Sequence, residues 1–130
     1  MAQGAYDYAA HYARERVQFG RPIAQFEAIQ HMLVDIAMEI QASRLLLYRA
    51  GWLADQGQPF TLEAAMANAR AVELARKASL QGLHILGGYG FMMEYDAQRY
   101  VRDALALLAG SEPVERLKNE VGVMLGFGAE

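Results

Sequence analysis

The chain has 130 residues, 54% of them hydrophobic and 21% charged, with a formal net charge of −3. That length buries one sizeable core, and the mildly acidic balance gives no electrostatic footprint for nucleic acid or for an anionic membrane face. Zero cysteines exclude a disulfide framework, thiolate chemistry and Cys-ligated metal. The start, Met1 to Asp7, lacks the basic residues and apolar run of a signal peptide. No apolar stretch approaches the roughly 20 residues that span a bilayer. The expectation is a soluble, cytoplasmic chain forming a single helical domain over residues 1–130.

In chain order, Ala2 to Arg16 carries Tyr6, Ala9, Ala10, Tyr12 and Ala13 among polar residues and reads as an amphipathic helix that opens at Met1 without a capping residue. Gly20 and Pro22 punctuate the next stretch, Val17 to Gln25. From Phe26 to Asp55, Ile29, Met32, Leu33, Ile36, Ile40, Leu47 and Ala50 recur at helical spacing, a helix of roughly 45 Å at 1.5 Å per residue. The turn Gln56-Gly57-Gln58-Pro59-Phe60 ends it, and Thr61 reads as the N-cap of an alanine-rich third helix to Leu86. A glycine cluster, Gly87-Gly88-Tyr89-Gly90, follows. A short helix from Ala97 to Leu107, a break at Ala109-Gly110-Ser111 and a last helix opening at Pro113 complete the chain. No strand alternation is sustained, so the expected fold is all-α, an antiparallel up-and-down bundle of four to five helices. Its core is expected at Ile29, Leu33, Ile36, Ile40, Leu47, Val72 and Leu83.

His11, His31 and His84 lie far apart and without Glu-x-x-His spacing, so no metal is assigned. Ser43, Ser79 and Ser111 have no histidine at a suggestive position for nucleophilic catalysis. Arg16, Gln18 and Phe19 place a cation, an amide and an aromatic ring just past a helix end. Such a set can hold a phosphate and stack on a flat ring, or simply cap a surface. The glycine cluster is open in the same way: a helix stop, or a place where backbone N–H groups approach a ligand closely.

Taken in order, three motifs decide between these options. Glu15-Arg16-Val17-Gln18-Phe19-Gly20-Arg21-Pro22-Ile23, then Phe26-Glu27-Ala28-Ile29-Gln30, then Leu86-Gly87-Gly88-Tyr89-Gly90 with Glu94-Tyr95 and Arg102-Asp103 resemble the C-terminal helical domain of the acyl-CoA dehydrogenases. The resemblance runs over essentially the whole chain. It implies FAD, an acyl-CoA thioester substrate, α,β-dehydrogenation and tetramers whose C-terminal domains pack together. By motif position Arg16, Gln18 and Phe19 would contact the adenosine diphosphate part of FAD. His84, Gly87 and Gly88 would reach the cofactor across a dimer interface, and Ser111 falls where the family usually has a threonine near FAD.

The chain departs from the family at several positions. Glu27 and His84 stand where glutamine is usual. The loop Leu107 to Pro113 is shorter by about two residues, with Ala109 where the common catalytic glutamate belongs. Ala109 cannot remove the substrate's α-proton, although its N–H could help hold a thioester carbonyl. In the isovaleryl-CoA dehydrogenase branch the base comes from the preceding helix, upstream of Met1. Glu112, at the start of the last helix, is expected to cap it rather than to act as the base. The family's N-terminal helical and middle β-domains have no counterpart in this chain. The resemblance therefore implies a domain that contributes part of a FAD site and an oligomer interface and is inactive alone. The alternatives are a helical interaction module without flavin, or a chain working beside a subunit that carries the missing domains.

Overall fold

The computed structural model describes residues 1–128. Six α-helices run α1 (Ala2–Glu15), α2 (Glu27–Asp55), α3 (Thr61–Leu86), α4 (Gly88–Phe91), α5 (Ala97–Gly110) and α6 (Val114–Met124). The all-α expectation holds, with a one-turn helix and a small hairpin added to the five longer helices. The hairpin pairs β1 (Val17–Gln18) with β2 (Arg21–Pro22), antiparallel, with Val17 opposite Pro22 and Gln18 opposite Arg21. Its two turn residues, Phe19 and Gly20, both have positive φ (52° and 79°), the type I′ pattern that matches the right-handed twist of the strands. A single 3-10 turn, Ile23–Gln25, leads into α2.

α3 is the central element, packed against α1, α2, α4, α5 and α6. Its alanines make this possible, because small side chains let helix backbones approach closely. On α1 the buried residues are Ala5, Ala9, Ala10 and Ala13, with Ala5, Ala9 and Ala13 recurring once per turn. A Cβ on Gly82 of α3 would sit 3.3 Å from the Ala5 carbonyl oxygen, so the two helices meet almost backbone to backbone there. Three apolar clusters follow the length of α3. Ala9, Ala13, Ile85, Leu86 and Ala97 close one end; Ile36, Ile40, Leu74 and Ala78 hold the middle; Ala69, Val72, Val114 and Leu117 close the other. Ion pairs from Glu39 to Arg70 and Lys77 bridge α2 and α3, and one from Lys118 to Glu73 bridges α6 and α3. These pairs are partly exposed, so each adds at most about 1 kcal/mol.

Ile36, Ile40 and Val72 are buried as expected, and Ile29, Leu33 and Leu83 are half-buried. Leu47 is not a core residue: it is 61% exposed. At 29 residues α2 is about twice as long as the 14-residue α1, so the half of α2 that carries Leu47 runs past the end of α1. Leu47 lines an open apolar groove of about 650 Å³ with Ile40, Phe60 and Leu74. Thr61 is not the N-cap of α3 but its first helical residue; Phe60 holds the cap position without a side-chain hydrogen bond. The break expected at Ala109-Gly110-Ser111 begins only at Ser111. Leu108 packs on the Ala69–Leu117 cluster and keeps the last turn of α5 helical through Gly110. Pro113 occupies the cap of α6, which starts at Val114.

Candidate functional site

The site forms where the chain leaves α1 and where it leaves α3. Arg16 caps α1 in an extended conformation, its N–H donating to the Tyr12 carbonyl at 2.9 Å. Its own carbonyl accepts from the Ile23 N–H at 2.8 Å, which ties the hairpin back onto the helix end. α3 ends at Gly87, with φ 59° and ψ −132°, a conformation essentially restricted to glycine. The Gly87 N–H donates to the His84 carbonyl and the Gly90 N–H to the Gly87 carbonyl, both at 3.0 Å. Gly90 is buried against the Leu83 carbonyl with no room for a side chain. By contrast, a Cβ on Gly87 or Gly88 would meet nothing within 4 Å. That side of the turn is open.

Between these two chain ends lies a groove of about 520 Å³, walled by Tyr12, Arg16, Gln18, Gly87, Gly88 and Tyr89, with Ile23, Ile85, Leu86 and Met92 beneath. The Arg16 guanidinium carbon lies 5.2 Å from the centroid of the Tyr89 ring. Tyr12, Tyr89 and Tyr95 form a ring cluster with centroid distances of 5.1 to 6.4 Å. Burial pushes the Tyr12 phenol above its ordinary value near 10, partly offset by the Arg16 guanidinium. A group that is harder to ionise when folded contributes stability in full below its unfolded pKa and loses it as pH rises past that value. Thermal melts taken from about pH 9 to pH 11 are therefore expected to fall less steeply for Tyr12→Phe than for the parent chain. Parallel curves would refute the assignment.

Four of the seven expected site residues, Arg16, Gln18, Gly87 and Gly88, meet on this groove. Phe19 does not: at the hairpin tip it is 93% exposed, edge-on to Phe26 with ring centroids 6.2 Å apart. Phe26 is covered in turn by the Arg21 guanidinium at 4.2 Å. His84 is exposed on α3 and lies outside the groove lining; its carbonyl, not its imidazole, holds the glycine turn. Ser111 caps α5, and its hydroxyl oxygen is buried without a hydrogen-bond partner. Its neighbour Leu108 packs on the cluster of Ala69 and Val72, roughly 25 Å along α3 from Gly87 at 1.5 Å per residue. Ala109 is exposed on the last turn of α5. Glu112 pairs with Arg116 at 2.9 Å rather than capping α6. Glu27 points to solvent at the start of α2, where an acid suits the helix dipole, and sits 3.7 Å from the His31 imidazole.

Tyr12 and Tyr89 were not singled out in the sequence. Tyr12 could have been found, because it lies one turn before Arg16 on the same helix face. The larger apolar groove beside Leu47 offers less chemistry: it is mostly alkyl-lined, and its one cation, Arg44, donates to the Gln3 side chain at 2.9 Å. Among the described residues no cluster of three or more metal-ligating side chains occurs, and no helix is long and apolar enough to cross a membrane.

The chain, with an arginine at the end of α1 beside a glycine turn at the end of the central helix, is matched over residues 1–118 by the family model "Acyl-CoA dehydrogenase, C-terminal domain". The chain belongs to this family. It is 45% identical over 119 residues to the probable acyl-CoA dehydrogenase YngJ of Bacillus subtilis (strain 168), covering 90% of this chain and 31% of that protein. It is 42% identical over 119 residues to the mitochondrial short-chain specific acyl-CoA dehydrogenase of Bos taurus, covering 90% of this chain and 29% of that one. Among solved structures, butyryl-CoA dehydrogenase from Megasphaera elsdenii superposes with a TM-score of 0.90 at 35% identity, over 95% of this chain and 32% of that one. The chain thus spans about a third of the length of these relatives. The acyl-CoA dehydrogenases are flavoproteins, and the groove suits one end of such a cofactor. Arg16 puts a positive charge on its wall, the open side of Gly87 and Gly88 leaves space beside the backbone, and Tyr12 and Tyr89 add flat rings.

Proposed function

We propose that this chain is the C-terminal helical domain of an acyl-CoA dehydrogenase-type flavoprotein, holding the diphosphate end of FAD in the Arg16–Gly88 groove and supplying a subunit interface through α2. The observation that carries this is the convergence of Arg16 and Gln18 with Gly87 and Gly88, from two distant stretches of sequence, onto one open groove. FAD when bound accepts hydride from the β-carbon of an acyl-CoA thioester. The chain's own part is binding and orientation, with Arg16 countering the phosphate charge and the glycine turn admitting the ligand close to the backbone. Phe19 and His84, outside the groove, would reach the cofactor only from a neighbouring subunit.

Dehydrogenation also needs a base for the α-proton. No carboxylate lines the groove, Ala109 has no proton acceptor, and Glu112 is engaged by Arg116. The domain alone is therefore inactive in this reading. Ser111 lies too far from Gly87 to share a diphosphate with it, so it would serve a different part of the cofactor site or a second cofactor in an oligomer.

The interface reading rests on α2. Val34, Met38, Leu45, Tyr48 and Trp52 are each more than half exposed. At 3.6 residues per turn they fall within a sector of roughly 80° and extend about 27 Å along the helix. The buried residues of α2, Ile36, Ile40, Ala50 and Leu53, lie on the opposite side. Only Gln41 interrupts this sector; an exposed, mainly apolar stripe of that length marks an interaction site, and a second copy of the chain offers the same stripe for a symmetric contact.

Titration of the full chain with FAD and with ADP, followed calorimetrically, tests the groove. Arg16→Ala is expected to weaken binding by at least about tenfold, the loss for a charge-assisted hydrogen bond worth ~1.5 kcal/mol or more. With an acyl-CoA added, the flavin absorbance should not bleach. Equal binding by Arg16→Ala removes the diphosphate assignment. Self-association without any flavin uptake would leave the purely helical interaction module.

A further inference from the structure

The Arg16 side chain leaves α1 at a residue whose backbone is already extended, so the helix surface does not constrain it. A flexible cation makes a poor anion receptor unless something fixes the plane of its guanidinium. The structure contains one such device. The Tyr89 ring faces the guanidinium carbon at 5.2 Å, within the range of a cation–π contact. Tyr95 and Tyr12 lie against the Tyr89 ring, with centroids 5.1 Å and 6.4 Å away. Tyr12 and Tyr95 also meet edge to face, with an interplanar angle of 89°. Tyr89 is 37% exposed, so it is not filling the core. It stands in the groove wall beside the cation. Its place there depends on the glycines on either side: Gly87 turns the chain through a conformation closed to other residues, and Gly90 seats the turn on the Leu83 carbonyl.

We propose that Tyr89 is a positioning residue: its ring fixes the Arg16 guanidinium so that the N–H fork is presented edge-on to a pyrophosphate in the groove. This rests on the reading of the groove as a nucleoside-diphosphate site. One face of the guanidinium is taken by the ring, which leaves its in-plane donors for two phosphate oxygens, the geometry in which arginine recognises phosphate best. The glycine turn then has two roles, leaving space for the ligand and placing the ring that orients its charge partner. What matters is the face of the ring, not the hydroxyl. Phenylalanine at position 89 should serve as well as tyrosine, and leucine should not.

The test uses the full chain, its Tyr89→Phe and Tyr89→Leu variants, and Arg16→Ala with and without Tyr89→Leu. Thermal melts confirm that each is folded. The first readout needs no ligand: the Arg16 Nε–H proton resonance should show the upfield displacement of a group over an aromatic face in the parent and in Tyr89→Phe, and lose it in Tyr89→Leu. The second is ADP affinity by calorimetry. Tyr89→Phe is expected within about twofold of the parent and Tyr89→Leu about fivefold weaker, consistent with a cation–π contact of ordinary strength. In the Arg16→Ala background, Tyr89→Leu should cause no further loss, since the two act as one unit. An Arg16 resonance unchanged in Tyr89→Leu overturns the proposal, as does an equal loss of affinity in both Tyr89 variants. A parent chain that binds no ADP would instead overturn the reading of the groove as a diphosphate site.

Discussion

A chain with alanine at position 90 is expected to melt roughly 10 °C below the parent, a loss of about 3 kcal/mol for a domain of this size. The added methyl group would overlap the Leu83 carbonyl oxygen and come within 3.2 Å of the Leu83 Cα. Neither partner is a flexible side chain. Leu83 belongs to the last turn of α3 and is held there by the helix's own hydrogen bonds, so relief requires the end of the central helix or the whole glycine turn to move. Either movement also displaces Tyr89 and opens the groove. Gly88→Ala is the control, because its methyl group would project into free space; its melting temperature should stay within about 2 °C of the parent. Circular dichroism melts of the two variants decide the matter. An alanine-90 chain as stable as the parent would mean that the turn is not seated on Leu83.

The second large effect is expected on association. Leu45→Glu with Tyr48→Glu places two carboxylates in the middle of the outer stripe of α2, where the parent residues are 68% and 66% exposed. Because neither side chain reaches the core, the fold should survive and the melting curve of the separated chain should change little. If α2 pairs with α2 of a second copy, a symmetric contact brings four new charges into one apolar seam. The dissociation constant should then rise by at least about a hundredfold, each buried unpaired charge costing several kcal/mol before relaxation. Sedimentation velocity over a concentration series would show the parent associating and the double variant remaining monomeric. Identical profiles would refute pairing through this face.

The long helices were legible because their apolar spacing is strongly periodic and because Gly57 and Pro59 mark the only break between α2 and α3. Periodicity reports that a face is apolar, not what covers it. Leu47 continues the pattern set by Ile36 and Ile40 and so reads as core, but α1 does not extend over it. The outer stripe of α2 does not stand out in the sequence for a related reason: its residues interleave with the inner face and read as one broad apolar helix. The hairpin was invisible as strand because two residues per strand cannot show alternation. Arg16, Gln18 and the glycines were legible as an ordered set of motifs. Their meeting on one groove is a tertiary fact. Tyr89 was hidden inside the glycine motif because its direction is set by the Gly87 dihedral angles, which residue type alone does not reveal. Motif position alone points to His84 and Phe19, and in the single chain neither lines the groove.

α3 is the helix against which nearly everything else packs, and the glycine turn follows directly on its last residue, Leu86, rather than lying in a loop at the periphery. A ligand bound at that turn would be coupled to cooperative unfolding of the entire bundle instead of to a local ordering step. Occupancy should therefore be readable without any spectroscopic change in the ligand. At a hundredfold excess over the dissociation constant, about 2.7 kcal/mol is added to global stability, an upward displacement of the melting transition by several degrees. A library of nucleotides, flavins and coenzyme A derivatives could be ranked on the unlabelled chain by thermal shift alone.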